Sequence, residues 1–154
     1  YKKNILNLYI NIRHLNSNQM PRKTSRKTLI KKLDSVFSEY IRRKYADQDG
    51  IVKCYTCSKK AYWKGEGMQC GHFISRASRI LRWNMDNARP QCYACNCMRY
   101  GQNYIFAMNL NKEFGYDKAD ELLQKSRQTI KQADFELVEL IDHYKDLILK
   151  LDLL

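Results

Sequence analysis

The sequence predicts an α+β fold in which a small metal-bound core of strands and one helix is flanked by helices on both sides. Two Cys-x-x-Cys pairs predict the core, namely Cys54 with Cys57 and Cys92 with Cys95. A tetrahedral zinc ion takes two ligands from each of two tight turns, and the gap between the pairs leaves room for a hairpin. Apolar residues at steps of three and four, before and after the pairs, predict the flanking helices.

The totals describe one small basic domain that favours polyanions. Its 154 residues carry a net charge of +12, from 28 Lys and Arg against 16 Asp and Glu. That balance favours nucleic acid first and an anionic membrane surface second. We expect no membrane anchoring, because no run of residues is long and apolar enough to span a bilayer and no signal peptide is visible.

The six cysteines predict metal-bound thiolates in a reducing cytoplasm rather than disulfides. Five of them lie in two close groups, and no export signal precedes them. Four thiolates close the coordination shell of zinc, so this ion is expected to be structural and any catalytic ion must bind elsewhere. Cys70 and Cys97 are left over, as small buried residues or spare thiols.

The chain before the core is interpreted in two parts. Residues 1–19 form an Asn- and Ile-rich leader of doubtful origin, because Met20 looks like a natural start, and no function is assigned to them. Residues 20–50 are predicted to hold a basic amphipathic helix that starts at Thr24 and ends at the turn residues 47–50. Its apolar face consists of Leu29, Leu33, Val36, Phe37, Tyr40 and Ile41.

Residues 51–113 are predicted to form the core. Ile51–Lys53 is expected to be a short strand, and Met68–Ile74 is expected to be the second strand of a hairpin that delivers His72. Cys92 is expected to open a helix whose first turn lies at the metal.

Residues 114–154 are predicted to be helical. Asp117–Lys125 forms one helix, and a capping box at Thr129–Gln132 starts the last one. Its apolar residues recur at helical spacing. We expect these helices to pack on the core or to form the face of a homodimer.

Several runs of residues in and after the core match a known pattern. They are Gln69–Arg76 (QCGHFISR), Leu81–Trp83 (LRW), Asp86-Asn87, Gln91–Asn96 (QCYACN), Gly101, Phe114-Gly115 and Lys125–Thr129 (KSRQT). Over roughly residues 50 to 150 the chain resembles the NinG/Rap family of phage recombination endonucleases, which are HNH (His-Me finger) nucleases. The resemblance implies a treble-clef ββα-metal core and cleavage of branched DNA, such as Holliday junctions or D-loops, in the cytoplasm of a bacterial host.

The resemblance also implies roles for individual residues. His72 is expected to be the general base that takes a proton from the attacking water, a role that suits its ordinary pKa of about 6.5. Asn87 is expected to hold the hairpin and His72 in place through backbone hydrogen bonds. The plainer alternatives are a lone histidine at the end of a strand and an ordinary turn asparagine.

Asn96 is expected to bind a catalytic Mg²⁺ or Mn²⁺ through its side-chain oxygen, the alternative being a residue that caps the start of a helix. Many HNH enzymes have an aspartate ligand directly before the base, but Gly71 stands there, and Met98 offers nothing to a hard ion. Three candidates for the second protein ligand stay open: Gln69, Asp86 and Asn103.

Basic residues with aromatics between them surround the expected site. We predict that DNA phosphates are bound by Arg76, Arg79, Arg82, Arg89 and Arg99. Such contacts give affinity and register without sequence readout. Two other functions stay open, a zinc DNA-binding module without catalysis and a zinc-stapled protein whose basic faces meet an acidic partner.

Overall fold

The fold is an α+β arrangement of helices and two small antiparallel sheets. The computed structural model describes residues 24–65 and 67–153, so the predicted leader at residues 1–19 lies outside the described part. The helices there are α1 (Arg26–Lys44), α2 (Asn103–Phe114), α3 (Lys118–Ser126) and α4 (Asp134–Leu151). The strands are β1 (Ile51–Lys53), β2 (Lys60–Tyr62), β3 (Met68–His72) and β4 (Ala88–Cys92). Three short helical turns complete the order: Met85–Asn87, the π-helical Ala94–Met98, and Tyr100–Gln102.

Helix α1 forms where the sequence predicts the basic amphipathic helix. It begins after Ser25, whose hydroxyl oxygen accepts a hydrogen bond from the N–H of Thr28 (3.2 Å). Its buried residues Leu33 and Phe37 belong to one hydrophobic cluster with residues of α4. The ring of Tyr144 meets the ring of Phe37 edge-on, with 5.0 Å between the centroids. The first and last helices therefore form one packed layer.

Strands β3 and β4 pair with each other and place the candidate site. Their register sets Met68 opposite Cys92 and His72 opposite Ala88, while β1 and β2 form a separate antiparallel pair. The sequence predicted a longer strand, Met68–Ile74, and no strand at β4. All five residues of β4 are buried, so the alternation of polar and apolar residues that signals a strand is missing there.

The chain after Cys92 also departs from the prediction. We expected a helix to open at Cys92, but Cys92 ends β4 and a π-helical turn follows, in which the N–H of Arg99 donates to the carbonyl of Ala94 (2.9 Å). Regular helix resumes only at Asn103, because the consecutive residues Tyr100–Gln102 have left-handed φ angles of 52°, 80° and 52°.

Helix α4 starts later than predicted. The segment Thr129–Gln132, where we predicted a capping box, is not helical, and α4 begins at Asp134. The Glu136 carboxylate accepts from the N–H of Ala133 (2.5 Å), and Asp134 pairs with Arg26 of α1 (2.5 Å). Contact with α1 therefore helps to set the start of α4.

None of the helices in the described part of the chain has the length and the apolar composition that a membrane span requires.

The loop after His72 packs into two hydrophobic clusters. Phe73 and Leu81 lie in a second hydrophobic cluster with Phe106 of α2, whereas Trp83 lies in the cluster of α1 and α4. The hydroxyl of Tyr144 donates to the carbonyl of Trp83 (2.6 Å). These contacts hold the loop from both sides.

Candidate metal centre and active site

Four cysteines come together at the ends of the two sheets. The sulfurs of Cys54, Cys57, Cys92 and Cys95 all lie within 4.8 Å of one another, and those of Cys57 and Cys92 are 3.6 Å apart. A tetrahedral zinc with bonds of about 2.3 Å sets its sulfur ligands about 3.8 Å apart, so the donor set fits Zn²⁺. The cluster could hold a structural metal such as zinc.

The surroundings of Cys54 favour the thiolate that a metal requires. Burial alone would raise the pKa of this thiol. Backbone N–H groups, among them that of Cys92 at 3.3 Å from the Cys54 sulfur, donate to it and lower its pKa to about 6. Cys54 therefore favours the thiolate before any ion binds, whereas the pKa of Cys57 is raised to about 12 and that of Cys92 is raised as well.

Gln91 explains why glycine stands directly before His72. Its side chain is fully buried, and its Nε2 donates to Thr56 Oγ1 (3.0 Å) and to the carbonyl of Gly101 (2.8 Å). A Cβ atom added at Gly71 would lie only 2.1 Å from Gln91 Oε1. The space that an aspartate would need before His72 is therefore filled by Gln91.

His72 and Asn96 line one cleft of about 1110 Å³, which lies between α1, β3 and the π-helical turn. Arg42 of α1, Arg76 of the loop after β3 and Tyr93 line it as well. The structure thus places the two residues predicted to act on one phosphate in the same cleft.

The imidazole of His72 is held in one orientation and kept neutral. Its Nε2 lies 2.9 Å from the carbonyl oxygen of Arg82. A carbonyl only accepts hydrogen bonds, so Nε2 carries the proton and Nδ1 of the neutral ring is an acceptor. Burial lowers the pKa of His72, although the hydrogen bond to Arg82 opposes that effect. The ring is therefore an unprotonated base at neutral pH.

Asp34 of α1 fixes the segment that holds His72. Arg82 donates to both carboxylate oxygens of Asp34, through Nε (2.9 Å) and Nη2 (2.6 Å). The indole N–H of Trp83 donates to the same carboxylate (2.8 Å). Burial opposes ionisation of Asp34, but these bonds and the charge of Arg82 keep its pKa below the usual range. Asp34 was not among the predicted site residues, because its only signal in the sequence is a carboxylate on a lysine-rich helix.

Asn87 binds the backbone of the loop after His72. It is fully buried, its Oδ1 accepts from the N–H of Ile74 (2.7 Å), and its Nδ2 donates to the carbonyls of Ile74 (2.9 Å) and Leu81 (3.0 Å). These bonds join the two ends of the loop. Such an arrangement is what the proposed positioning role of Asn87 requires.

Asn96 is bonded to a second amide in the cleft. Its Nδ2 donates to Gln69 Oε1 (2.7 Å), which leaves Asn96 Oδ1 as its remaining acceptor. Of the three candidates for a second ligand, Gln69 lines the cleft. Asp86 instead pairs with Lys118 (2.7 Å), and Asn103 begins α2 away from the cleft lining.

The cleft offers a divalent cation neutral donors. Among the described residues that line it, none is aspartate or glutamate. Mg²⁺ and Mn²⁺ prefer carboxylates as protein ligands, so these residues alone do not fit a resident ion of this kind.

The predicted phosphate-binding arginines separate into an exposed group and a group whose guanidinium is held by a carboxylate of the protein. Arg76, Arg79 and Arg99 are exposed, and Arg76 lines the cleft. The guanidinium of Arg82 is bound to Asp34, as described above. Arg42 also lines the cleft but was not predicted to bind a phosphate. In the sequence it is one of several cations on the predicted helix, and nothing in the pattern distinguishes it from its neighbours.

Arg89 is a buried structural residue, which corrects the prediction that it binds DNA. Its exposed fraction is 0%. Its Nε and Nη2 donate to the two carboxylate oxygens of Glu113 (3.0 and 2.8 Å), and its Nη1 donates to the carbonyls of Met85 and Ala88. Arg89 therefore joins β4 to α2 and has no access to a phosphate.

Comparisons with known proteins give one match. The model of the family described as "NinG: Bacteriophage Lambda NinG protein" matches residues 12–153. Neither the comparison with curated proteins nor that with solved structures yields a match.

Proposed function

This chain belongs to the NinG family, and from that premise we propose that it is a metal-dependent, structure-selective DNA endonuclease. Its substrates are branched recombination intermediates, Holliday junctions or D-loops, and a water activated by His72 attacks the phosphodiester. The core is a treble-clef ββα-metal (HNH-like) unit in which the cysteine cluster holds Zn²⁺. The β3–β4 hairpin and the helical turn that carries Cys95 support this assignment of the core.

One observation carries the proposal: His72 and Asn96 line the same cleft as two arginines, Arg42 and Arg76. Positive side chains on the wall of a cleft attract and position a DNA phosphate. The neutral imidazole of His72, whose Nδ1 is an acceptor, lines the same cleft. This combination suits hydrolysis of a phosphodiester better than it suits binding alone.

His72 acts through Nδ1. The neutral ring takes a proton from water there, and the imidazolium that forms is stabilised by the carbonyl of Arg82, which already accepts from Nε2 (2.9 Å). Asn87 and Asp34 act as positioning residues, because they bind the backbone and side chain of the loop that holds the ring. General-base catalysis of this kind contributes about 10²- to 10⁴-fold to a rate.

Asn96 Oδ1 is the hard donor through which Mg²⁺ or Mn²⁺ would be held, and because the cleft residues alone do not fit a resident ion, the remaining ligands would come from water and the DNA phosphate. Such an ion supplies charge stabilisation at a phosphate when it is bound. The other described residues that line the cleft contribute no carboxylate. The proton transfer from water and the positioning of the phosphate are therefore assigned to side chains of this chain.

Cleavage assays test the proposal. The zinc-loaded chain is incubated with a labelled four-way junction, a D-loop and a linear duplex of matched length, with Mg²⁺ or Mn²⁺. We expect nicks in the branched substrates, and Asn96→Asp is expected to keep or increase activity at low Mn²⁺, since it adds a carboxylate. Absence of cleavage under all these conditions contradicts the proposal.

A second function, a zinc DNA-binding module without catalysis, is favoured by the lack of carboxylates among the described residues that line the cleft. In that case the chain binds junctions with a steep dependence on salt but cuts none of them. An interaction protein for an acidic partner would bind no DNA at physiological salt, so DNA binding separates it from both other functions.

A further inference from the structure

Exposed aromatic side chains lie within and after the second cysteine pair. Tyr93, Tyr100 and Tyr104 are exposed by 55%, 89% and 78%, and we call these three residues the tyrosine face. Within the described part of the chain, none of the three rings stacks on another aromatic ring and none of their hydroxyls makes a hydrogen bond to the protein. Their large apolar surfaces therefore contribute nothing to the core.

The tyrosine face adjoins the cleft. Tyr93 lines the cleft together with Asn96 and Cys97. Tyr100 follows Cys97 by three residues, so their Cα atoms are at most about 11 Å apart. The N–H of Arg99 donates to the carbonyl of Ala94 (2.9 Å), so the residues between the cleft-lining Tyr93 and Tyr100 form one compact helical turn.

A strained backbone presents Tyr100. Tyr100 and Gln102 have φ angles of 52° on either side of Gly101, whose φ is 80°. Residues with side chains rarely adopt such angles, and they persist only where the surroundings enforce them. The buried amide of Gln91 does so here, because it donates to the carbonyl of Gly101 (2.8 Å). Such strain is typical of functional segments.

The charge around the tyrosine face suits nucleic acid. No aspartate or glutamate occurs between Asp86 and Glu113 in the sequence, and the exposed Arg99 and Asn103 lie within this stretch. An aromatic surface with a cation beside it and no acidic residue in its segment binds bases by stacking and tolerates the neighbouring phosphates.

We propose that the tyrosine face stacks unpaired bases of DNA at the branch point, beside the phosphate held in the cleft. The proposal rests on the DNA binding that the proposed function requires, and it accounts for selection of D-loops and forks, whose branch points carry unpaired bases. Fully paired duplex keeps its bases stacked inside the helix, so it gains nothing from the face. Each base stacked on an aromatic side chain strengthens binding by about 5- to 150-fold.

Binding measurements with the zinc-loaded His72→Ala chain test this without cleavage. Dissociation constants are compared for a forked DNA with 2-aminopurine in its unpaired arms and for a duplex of equal length. We expect the fork to bind at least about 5-fold more tightly, with quenched 2-aminopurine fluorescence. The double variant Tyr100→Ala/Tyr104→Ala is expected to lose both effects and to keep its duplex affinity.

Two controls make the test specific. Tyr100→Phe/Tyr104→Phe keeps the rings and is expected to keep the preference for the fork. Tyr116→Ala, which removes a tyrosine exposed by 92% between α2 and α3, is expected to change nothing.

The proposal is overturned if the alanine double variant still prefers the fork, or if it instead shifts the chain from dimer to monomer in size-exclusion chromatography, which would assign the face to a second copy. If the preference for the fork is found but the unaltered chain cuts no DNA, the stacking site stands and the nuclease proposal fails.

Discussion

Replacing Asp34 by asparagine separates the positioning of His72 from its chemistry. The Asp34 carboxylate accepts two hydrogen bonds from Arg82 and one from Trp83, and the carbonyl of Arg82 accepts from His72. In Asp34→Asn one oxygen becomes an amide NH₂, which cannot accept from Arg82. The shape of the side chain stays the same, while one charge-assisted bond and one negative charge are lost.

The expected magnitudes follow from the exposure of the pair. A hydrogen bond to a charged group contributes about 1.5–3 kcal/mol. Because Asp34 and Arg82 are 23% and 24% exposed, solvent screening puts the loss near the lower end, about 1.5–2 kcal/mol. For a chain of this size that lowers Tm by about 3–8 °C. Looser support of His72 is expected to lower kcat by roughly 10-fold, since misplacement by 1 Å costs about 100-fold.

The pH profile gives a readout that a merely structural role would not move. The charge of Asp34 raises the pKa of His72, so its removal lowers that pKa further and shifts the acid limb of kcat to lower pH. Glu39→Gln is the matched control, because Glu39 also lies on α1 and pairs with Arg43 (3.5 Å) away from the cleft lining. An acid limb that stays in place or moves to higher pH in Asp34→Asn would refute the reasoning.

Three further predictions concern the metal, the buried arginine and the surface. Cys92→Ser is expected to abolish zinc binding and leave the core largely unfolded, because structural zinc contributes on the order of 10 kcal/mol to the free energy of folding. Metal analysis and circular dichroism check this, and a cooperative melt without zinc would contradict it. Arg89→Ala leaves Glu113 unpaired and is expected to destabilise the fold by about 2–4 kcal/mol in urea titrations, with an unchanged Cm as the contrary result. Arg79→Ala is expected to weaken junction and duplex binding alike and to lower the slope of log K against log salt by about 1; loss of junction binding alone would show that Arg79 reads shape.

Protonation of His72 also links stability to pH. Burial lowers its pKa in the folded state, so the unfolded chain binds a proton more readily below the ordinary pKa of about 6.5. The free energy of unfolding is therefore expected to have its full value above that pH and to decline as the pH falls below it. The free energy of unfolding of His72→Gln, measured by urea titration at several pH values, is expected to lack this part of the decline. Identical pH profiles for the variant and the unaltered chain would contradict the assignment of the decline to His72.

Local signals in the sequence predict the metal cluster and the first helix. The cysteine pairs need only short-range spacing, and the structure brings their four sulfurs within 4.8 Å of one another. The apolar face of α1 follows from helical period alone, and all of its residues except the partly buried Val36 are buried. Neither feature depends on which distant segment becomes the neighbour.

Contacts between distant segments account for the misses. Asp34 and Arg82 are 48 residues apart, so nothing in either local pattern indicates their pairing. A basic residue such as Arg89 is normally predicted to lie at the surface. Its burial is possible because Glu113 of α2 pairs with its charge. The late start of α4 has the same origin, because contact with Arg26 is not visible in the segment before Asp134.

The most direct test of the central claim is the single-turnover rate of junction cleavage by His72→Ala. The account predicts a loss of at least about 10²-fold, because the general base is removed. Zinc content and the dissociation constant for the junction are expected to stay close to those of the unaltered chain, since the change removes a ring and no metal ligand. A His72→Ala chain that cuts the junction as fast as the unaltered chain, with the same dependence on pH, would contradict the account.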